Sequence, residues 1–342
     1  MRLFLTGIGV VLLLAGCGGV KNFGSSLKYD IMAEYYLEQQ TYTQGASSFR
    51  RILDEDPGNA KAHYYYGRMV LAEKQYGEAL SHLQQAALGR PESGDCLFWL
   101  GVAYGKNNNP AKERASYIRV LQLDPNHVGA LVYLGHNLLK AGEHEKSLAR
   151  YQQALDLNPH HAQALYNRAF ILRKLGRSPE ERIAWLLYLD SYPAGKFANL
   201  AADRLNTLEN YSYRNHNLGG RVVTLTDVGF VPFKDELLDY TRESLDIVGT
   251  ILSEMRQGTL QIEVYQKNDN KLAKKRALAL RSYLCKKFPQ LGAARRIEVS
   301  WFDVPESRVV LKKRLTIDES VRFVVTGADE KRYIKAEKNK KT

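Results

Sequence analysis

The chain has 342 residues, room for two domains of ordinary size. Apolar residues make up 44% and charged residues 25%, which excludes a wholly disordered or collagen-like polymer. Its net charge of +12 suits acidic partners, and three cysteines are too few for a disulfide framework.

Met1-Arg2 gives a positive start, and residues 3–14 form an apolar run broken only by Thr6 and two glycines. A bilayer span takes about 20 helical residues, so this run is too short to cross and has the length of a signal-peptide core. It ends in Leu14-Ala15-Gly16-Cys17, and small residues before the cut are what a signal peptidase admits. These four residues resemble the lipobox of bacterial lipoproteins. The resemblance implies a signal peptide over residues 1–16, a lipid on Cys17 and a linker over 17–27. Gly18, a residue other than aspartate, then implies the outer membrane, with the protein facing the periplasm. The alternative is an ordinary signal peptide with a chance cysteine. Cys96 and Cys285 lie in different segments and read either as a disulfide or as two small buried side chains.

Pro57, Pro91, Pro125, Pro159 and Pro193 recur every 34 residues. In the same phase fall the small residues Ala33, Gly67, Gly101, Gly135 and Ala169, where two helices must approach closely. Phe49, Leu83, Tyr117, Tyr151 and Trp185 hold one register of a second helix, with Ile52, Ala86, Val120, Ala154 and Tyr188 three residues later on the same face. The second helix's own small position holds Gly45 and Ala79, then Glu113, Ser147 and Glu181, so repeats three and five are expected to pack with a local adjustment. The array resembles the tetratricopeptide repeat, whose period is 34 residues. Five repeats and a capping helix at residues 196–208 place the array over 28–210. The resemblance implies an all-α superhelix with a concave groove for a peptide or protein segment. By the family pattern the groove positions include Tyr64, Arg68, Phe98, Val102, His136, Tyr166, Phe170 and Arg173. Aromatic anchors with a few basic groups suit an extended or helical peptide carrying some acid. The competing reading packs these aromatics between repeats.

The helical period stops over residues 211–220, a polar stretch ending in Gly219-Gly220 that reads as a linker. Beyond it the pattern alternates in kind. Residues 222–225 read as a strand, 235–257 as a helix, 260–264 as a strand and 272–288 as a second helix. Residues 297–301 and 321–325 complete the strands. That order makes an α+β domain over 221–326, two helices on a small mixed sheet. Residues 327–342 are charged, lack a core pattern and read as a basic disordered tail.

Phe233 before a leucine-striped helix, then Ile262-Glu263-Val264, then Leu272-Ala273-Lys274-Lys275-Arg276-Ala277 with Tyr283-Leu284, resembles the OmpA-like peptidoglycan-binding domain. The resemblance implies that Asp269 and Arg276 hold the diaminopimelate residue of a peptidoglycan stem. A carboxylate would receive the ammonium and a guanidinium the carboxylate. The chain departs from the family at Gln266-Lys267-Asn268, where the family has Gly-His-Thr, in a shortened loop, and at Glu319-Ser320-Val321-Arg322. Asp269 reads equally as a helix N-cap, and Arg276 as a solvated helix residue. The second helix carries Lys271, Lys274, Lys275, Arg281, Lys286 and Lys287, a face suited to anionic wall polymer or phospholipid headgroups, or simply to water. An exported protein gives it no nucleic-acid partner.

No nucleophile elbow, P-loop or paired Cys-x-x-Cys occurs, and His144-Glu145 lacks the second histidine of a zinc protease. The expectation is a protein without catalytic residues, metal or cofactor. Its first reading is an outer-membrane lipoprotein scaffold. The repeats would recruit a partner for envelope, pilus or secretion-machine assembly, the tight-adherence pilus being one candidate. The second domain would meet peptidoglycan. The alternative is a periplasmic interaction module whose second domain has lost that ligand.

Overall fold

A computed structural model describes residues 17–327; the expected signal peptide over 1–16 and the expected tail from residue 328 lie outside the described residues. The chain divides after Pro159 into two compact units.

The first unit is a row of helices: α1 (Cys17–Glu38), α2 (Tyr42–Glu55), α3 (Ala60–Ala72), α4 (Tyr76–Gly89), α5 (Gly94–Lys106), α6 (Pro110–Leu123), α7 (Val128–Lys140) and α8 (His144–Leu157). Helix α1 already spans residues 17–27, the stretch expected as a linker. Side chains at one register cap the first helix of successive repeats. Asn59 accepts from the Ala62 amide at 3.0 Å, Ser93 from Cys96 at 3.4 Å and His127, through Nδ1, from Ala130 at 3.0 Å. Helix pairs close on the small residues. A Cβ on Gly101 would lie 2.6 Å from the Tyr117 ring, and Tyr117, like Phe49, Leu83 and Tyr151, is fully buried.

Repeat three shows the expected adjustment. Glu113 stands where a small residue belongs, and Gly105, whose Cβ would meet its carboxylate at 2.7 Å, leaves the space. Asn137 Nδ2 donates to Glu113 Oε2 at 2.9 Å, and Arg114 Nε donates to Asn137 Oδ1 at 2.8 Å. The buried acid is thus hydrogen-bonded across two repeats. Cys96 is fully buried and Cys285 half-buried, and both are free thiols.

The second unit begins with α9 (Ala162–Lys174), α10 (Ser178–Ser191) and α11 (Lys196–Thr207), the fifth repeat and its capping helix. His161 repeats the capping register, accepting from Ala164 at 3.3 Å, and Trp185 Nε1 donates to the buried Glu181 at 3.1 Å. The chain then enters β1 (Tyr213–Leu218) and β2 (Arg221–Thr226), an antiparallel hairpin turning at Gly219, φ +67°. The expected linker 211–220 is therefore mostly strand. Asn215 Nδ2 donates to Asp203 Oδ1 at 2.8 Å and Thr224 Oγ1 to Asn199 Oδ1 at 2.8 Å, which fastens the hairpin to α11.

The rest holds the expected elements with three more among them: α12 (Thr241–Glu254), β3 (Thr259–Gln266), α13 (Asn270–Lys287), the short additional α14 (Pro289–Ala293), β4 (Ile297–Phe302), the additional β5 (Glu306–Val310) and β6 (Lys313–Ile317), and β7 (Glu319–Thr326). The main sheet runs β2-β1-β7-β3-β4. Its β1–β7 and β3–β4 pairs are parallel and its β3–β7 pair is antiparallel. Leu260, Ile262 and Val264 alternate inward along β3 and meet Leu245, Val248 and Leu252 of α12 and Ala273, Ala277 and Leu280 of α13. Strands β5 and β6 form a separate hairpin absent from the expected order. Helix α12 starts later than expected because residues 230–237 fold into a tight loop closed by a bridge between Phe230 and Leu237.

Candidate functional site

Of the eight groove positions, Tyr64, Arg68, Phe98, Val102 and His136 belong to the first unit, and Tyr166, Phe170 and Arg173 to the second. Tyr64 and Val102 are 5% and 7% exposed, so both are core residues rather than contact surface. The pattern placed them a fraction of a helical turn from the open face. Burial pushes the Tyr64 hydroxyl up to about 12, so it stays neutral and accepts from Arg68 Nη1 at 3.3 Å. Arg68, Phe98 and His136 remain half-buried on the surface of the first helices.

The register one residue beyond Tyr64 and Phe98 carries a second row of half-buried aromatics. Tyr65, Trp99 and Tyr133 recur at the 34-residue period on α3, α5 and α7, each half-buried. The Arg68 guanidinium lies over the Trp99 ring at 4.5 Å and the Tyr64 ring at 5.4 Å. Phe98 meets Tyr133 edge-on at 5.2 Å, and Tyr133 meets His136 at 5.6 Å. The Tyr65 hydroxyl donates to Asp30 of the first repeat, which Lys61 also holds at 2.6 Å. Burial alone would raise the Asp30 carboxyl, but these hydrogen bonds and the Lys61 charge hold it below its usual range. The Arg68 Nε is buried and has no partner among the described residues.

In the second unit Tyr166 packs edge-on against Phe197 at 4.9 Å and Trp185 at 5.3 Å, and Lys174 covers Phe170 at 5.6 Å. Arg173 is exposed. Tyr166 is thus part of the packing between repeat five and α11.

The two residues expected at a peptidoglycan stem have other partners. Asp269 is the N-cap of α13, accepting from the Leu272 amide at 2.9 Å, a contact worth about 1 kcal/mol. Arg276 is 3% exposed, where a solvated helix arginine was the alternative. Its Nε donates to the Lys234 carbonyl at 3.0 Å, its Nη1 to Gln266 and, at 3.0 Å, to Glu319, and its plane covers Phe230 at 4.7 Å. Hydrogen bonds from Gln266 and Arg276 hold the Glu319 carboxyl below its usual range. No hydrogen bond or ion pair joins Asp269 to Arg276 among the described residues. Cys17 opens α1, and no His/Cys/Asp/Glu cluster among the described residues could hold a metal. No described helix is long and apolar enough to cross a membrane.

Comparison with known proteins agrees with this repeat geometry. The tetratricopeptide repeat family matches residues 32–94, 71–128 and 134–196. No curated protein sequence matches the chain. Among solved structures, PilF of Pseudomonas aeruginosa is 18% identical, covering 54% of this chain and 85% of that one with a TM-score of 0.50. A thermophilic TPR protein of Thermus thermophilus is 18% identical over 53% and 99% of the two chains, TM-score 0.44. YrrB, described as a TPR protein with an unusual peptide-binding site, is 21% identical over 51% and 89%, TM-score 0.44. At 18% identity the likeness to PilF is one of fold. The helical first part of the chain is an array of tetratricopeptide repeats, followed by a region built on a mixed sheet.

Proposed function

We propose that this chain is a non-enzymatic, lipid-anchored scaffold of the cell envelope whose first-helix face captures a protein segment. The observation that carries the reading is the ladder of Tyr65, Trp99 and Tyr133 with Arg68 beside it. Half-buried rings at a regular spacing present large contact area at low entropic cost, the usual composition of a binding hot spot. Random peptides displayed on phage should enrich on the full chain, and Trp99→Ala should remove most of that enrichment. Equal enrichment on the two proteins would rule out the ladder as the capture surface.

The anchor reading is supported by Leu14-Ala15-Gly16-Cys17, and Gly18 supports an outer-membrane position facing the periplasm. Palmitate fed to an expressing Gram-negative host should label the protein and fail to label Cys17→Ser. Labelling that survives the substitution would remove the anchor. For the second domain, the engagement of Arg276 with Glu319, Gln266 and a backbone carbonyl favours the alternative in which no stem-peptide site remains. A ligand carboxylate would have to displace three internal acceptors from a buried guanidinium. Contact between this domain and another protein is the reading that fits.

A further inference from the structure

We infer that the ladder on the first helices is a track for an acidic segment in the polyproline II conformation. This deepens the capture role proposed above and rests on it. Three properties of the face select the ligand: its spacing, its unpaired donors and its uncompensated charge.

One ring projects per repeat, so successive rings are separated by roughly the width of a helix with its side chains, about 10–12 Å. A polyproline II helix advances about 9 Å per turn of three residues and brings the same side round each time. Three successive turns therefore present three like side chains to Tyr65, Trp99 and Tyr133, with small adjustments. A β-strand cannot match this, because residues three apart in a strand point to opposite sides. An α-helix can, since residues seven apart share a face at about 10 Å.

The donors decide between those two. Trp99 makes no hydrogen bond among the described residues, and neither does the Tyr133 hydroxyl; both take part only in ring contacts. An indole N–H, a phenol and a guanidinium on one face call for acceptors on the ligand. A polyproline II backbone leaves every carbonyl free, whereas an α-helix uses its carbonyls internally. Proline rings also lie flat on aromatic faces at little entropic cost.

The charge sets the third requirement. Arg68 makes no ion pair among the described residues, and its guanidinium is stacked between the Tyr64 and Trp99 rings. A half-buried cation so held gains most from a carboxylate that arrives with the ligand. The fitting partner is a proline-rich segment with an Asp or Glu in register with Arg68.

The test is calorimetry of the full chain with peptides of four Pro-Pro-Glu repeats, four Pro-Pro-Gln repeats, and an Ala/Glu helical peptide of the first one's length and charge. The Pro-Pro-Glu peptide is expected to bind tightest, about tenfold tighter than its Gln counterpart, the scale of one charge-assisted contact. Arg68→Gln should erase the preference for Glu over Gln while leaving residual binding of both. Tyr133→Phe, which keeps the ring and removes only the hydroxyl, should weaken both proline peptides several-fold. An acidic helix binding tighter than Pro-Pro-Glu would overturn the polyproline II assignment and leave the capture role standing. Failure of all three peptides would also overturn it, and if phage display enriched nothing either, the capture role would fall too.

Discussion

Glu306→Ala is expected to destabilise the second unit by about 3–5 kcal/mol, the cost of breaking a buried ion pair from one side. Glu306 and Arg214 are 2% and 0% exposed and pair directly, β5 to β1, with Ser320 Oγ of β7 donating to the same carboxylate at 2.7 Å. Burial alone would raise the Glu306 carboxyl, yet the Arg214 charge and the Ser320 hydrogen bond hold it below its usual range. Removing that carboxylate strands the guanidinium. Its remaining contact is Nη1 to the Val321 carbonyl at 3.5 Å, and its Nε already lacks a partner. The double variant Arg214→Met/Glu306→Leu removes both charges and should recover most of the loss, because the pair's desolvation disappears with its attraction. Urea unfolding followed by circular dichroism reads both. A single variant within 1 kcal/mol of wild type would show that the pair holds nothing together.

The same pair explains what the sequence concealed. The repeats were legible because a fixed period puts proline, small residue, cap and core ring in phase, so each position confirms the others. Strand β1 had no such signal. Its inward positions are Arg214, His216 and Leu218, so the alternation that marks a half-buried strand is polar against polar and reads as a linker. The β5–β6 hairpin was hidden for a related reason. Its two-residue turn is Leu311-Lys312, both at positive φ, where a hairpin turn ordinarily advertises itself with asparagine or glycine.

The candidate sites divide along the same line. The period that located Arg68, Phe98 and His136 contains Tyr65, Trp99 and Tyr133 one register away, but the register of Tyr64, Phe98 and Tyr166 holds as many aromatics, so a count alone does not separate the two. The family pattern instead selected Tyr64 and Val102, which face the core. Arg276 could not have been resolved from sequence. Its charge partner Glu319 lies 43 positions on, and only the pairing of β3 with β7 brings Gln266 opposite Glu319 beside it. The N-cap role of Asp269, by contrast, follows from its place just before a helix and was one of the two readings open at the outset.

Acid is expected to weaken the second unit through His216, at a rate no surface histidine would produce. His216 is 3% exposed, its Nδ1 accepts from the Phe323 amide at 3.2 Å, and its ring lies 5.2 Å from that of Phe323. Burial, and then the charges of Arg214 on its own strand, Arg308 on β5 and Arg322 on β7, keep its folded pKa well below the ordinary 6.5. The unfolded chain therefore takes up a proton below about pH 6.5 that the folded one refuses. Stability is fully present above that pH and falls by about 1.4 kcal/mol per unit below it, until the folded pKa is reached. Asp203 and Asp227, whose carboxyls burial raises, act with the opposite sign, so the His216 contribution is read as the difference between wild type and a His216 variant. His82, lowered by burial and by His63 beside it, adds a slope of the same sign in the first unit. His216→Gln can still accept from the Phe323 amide but takes up no proton, so its urea midpoints should be flatter across this window than those of wild type. Parallel curves would mean that His216 is protonated in the folded state, and that the charges of the arginines around it are well screened.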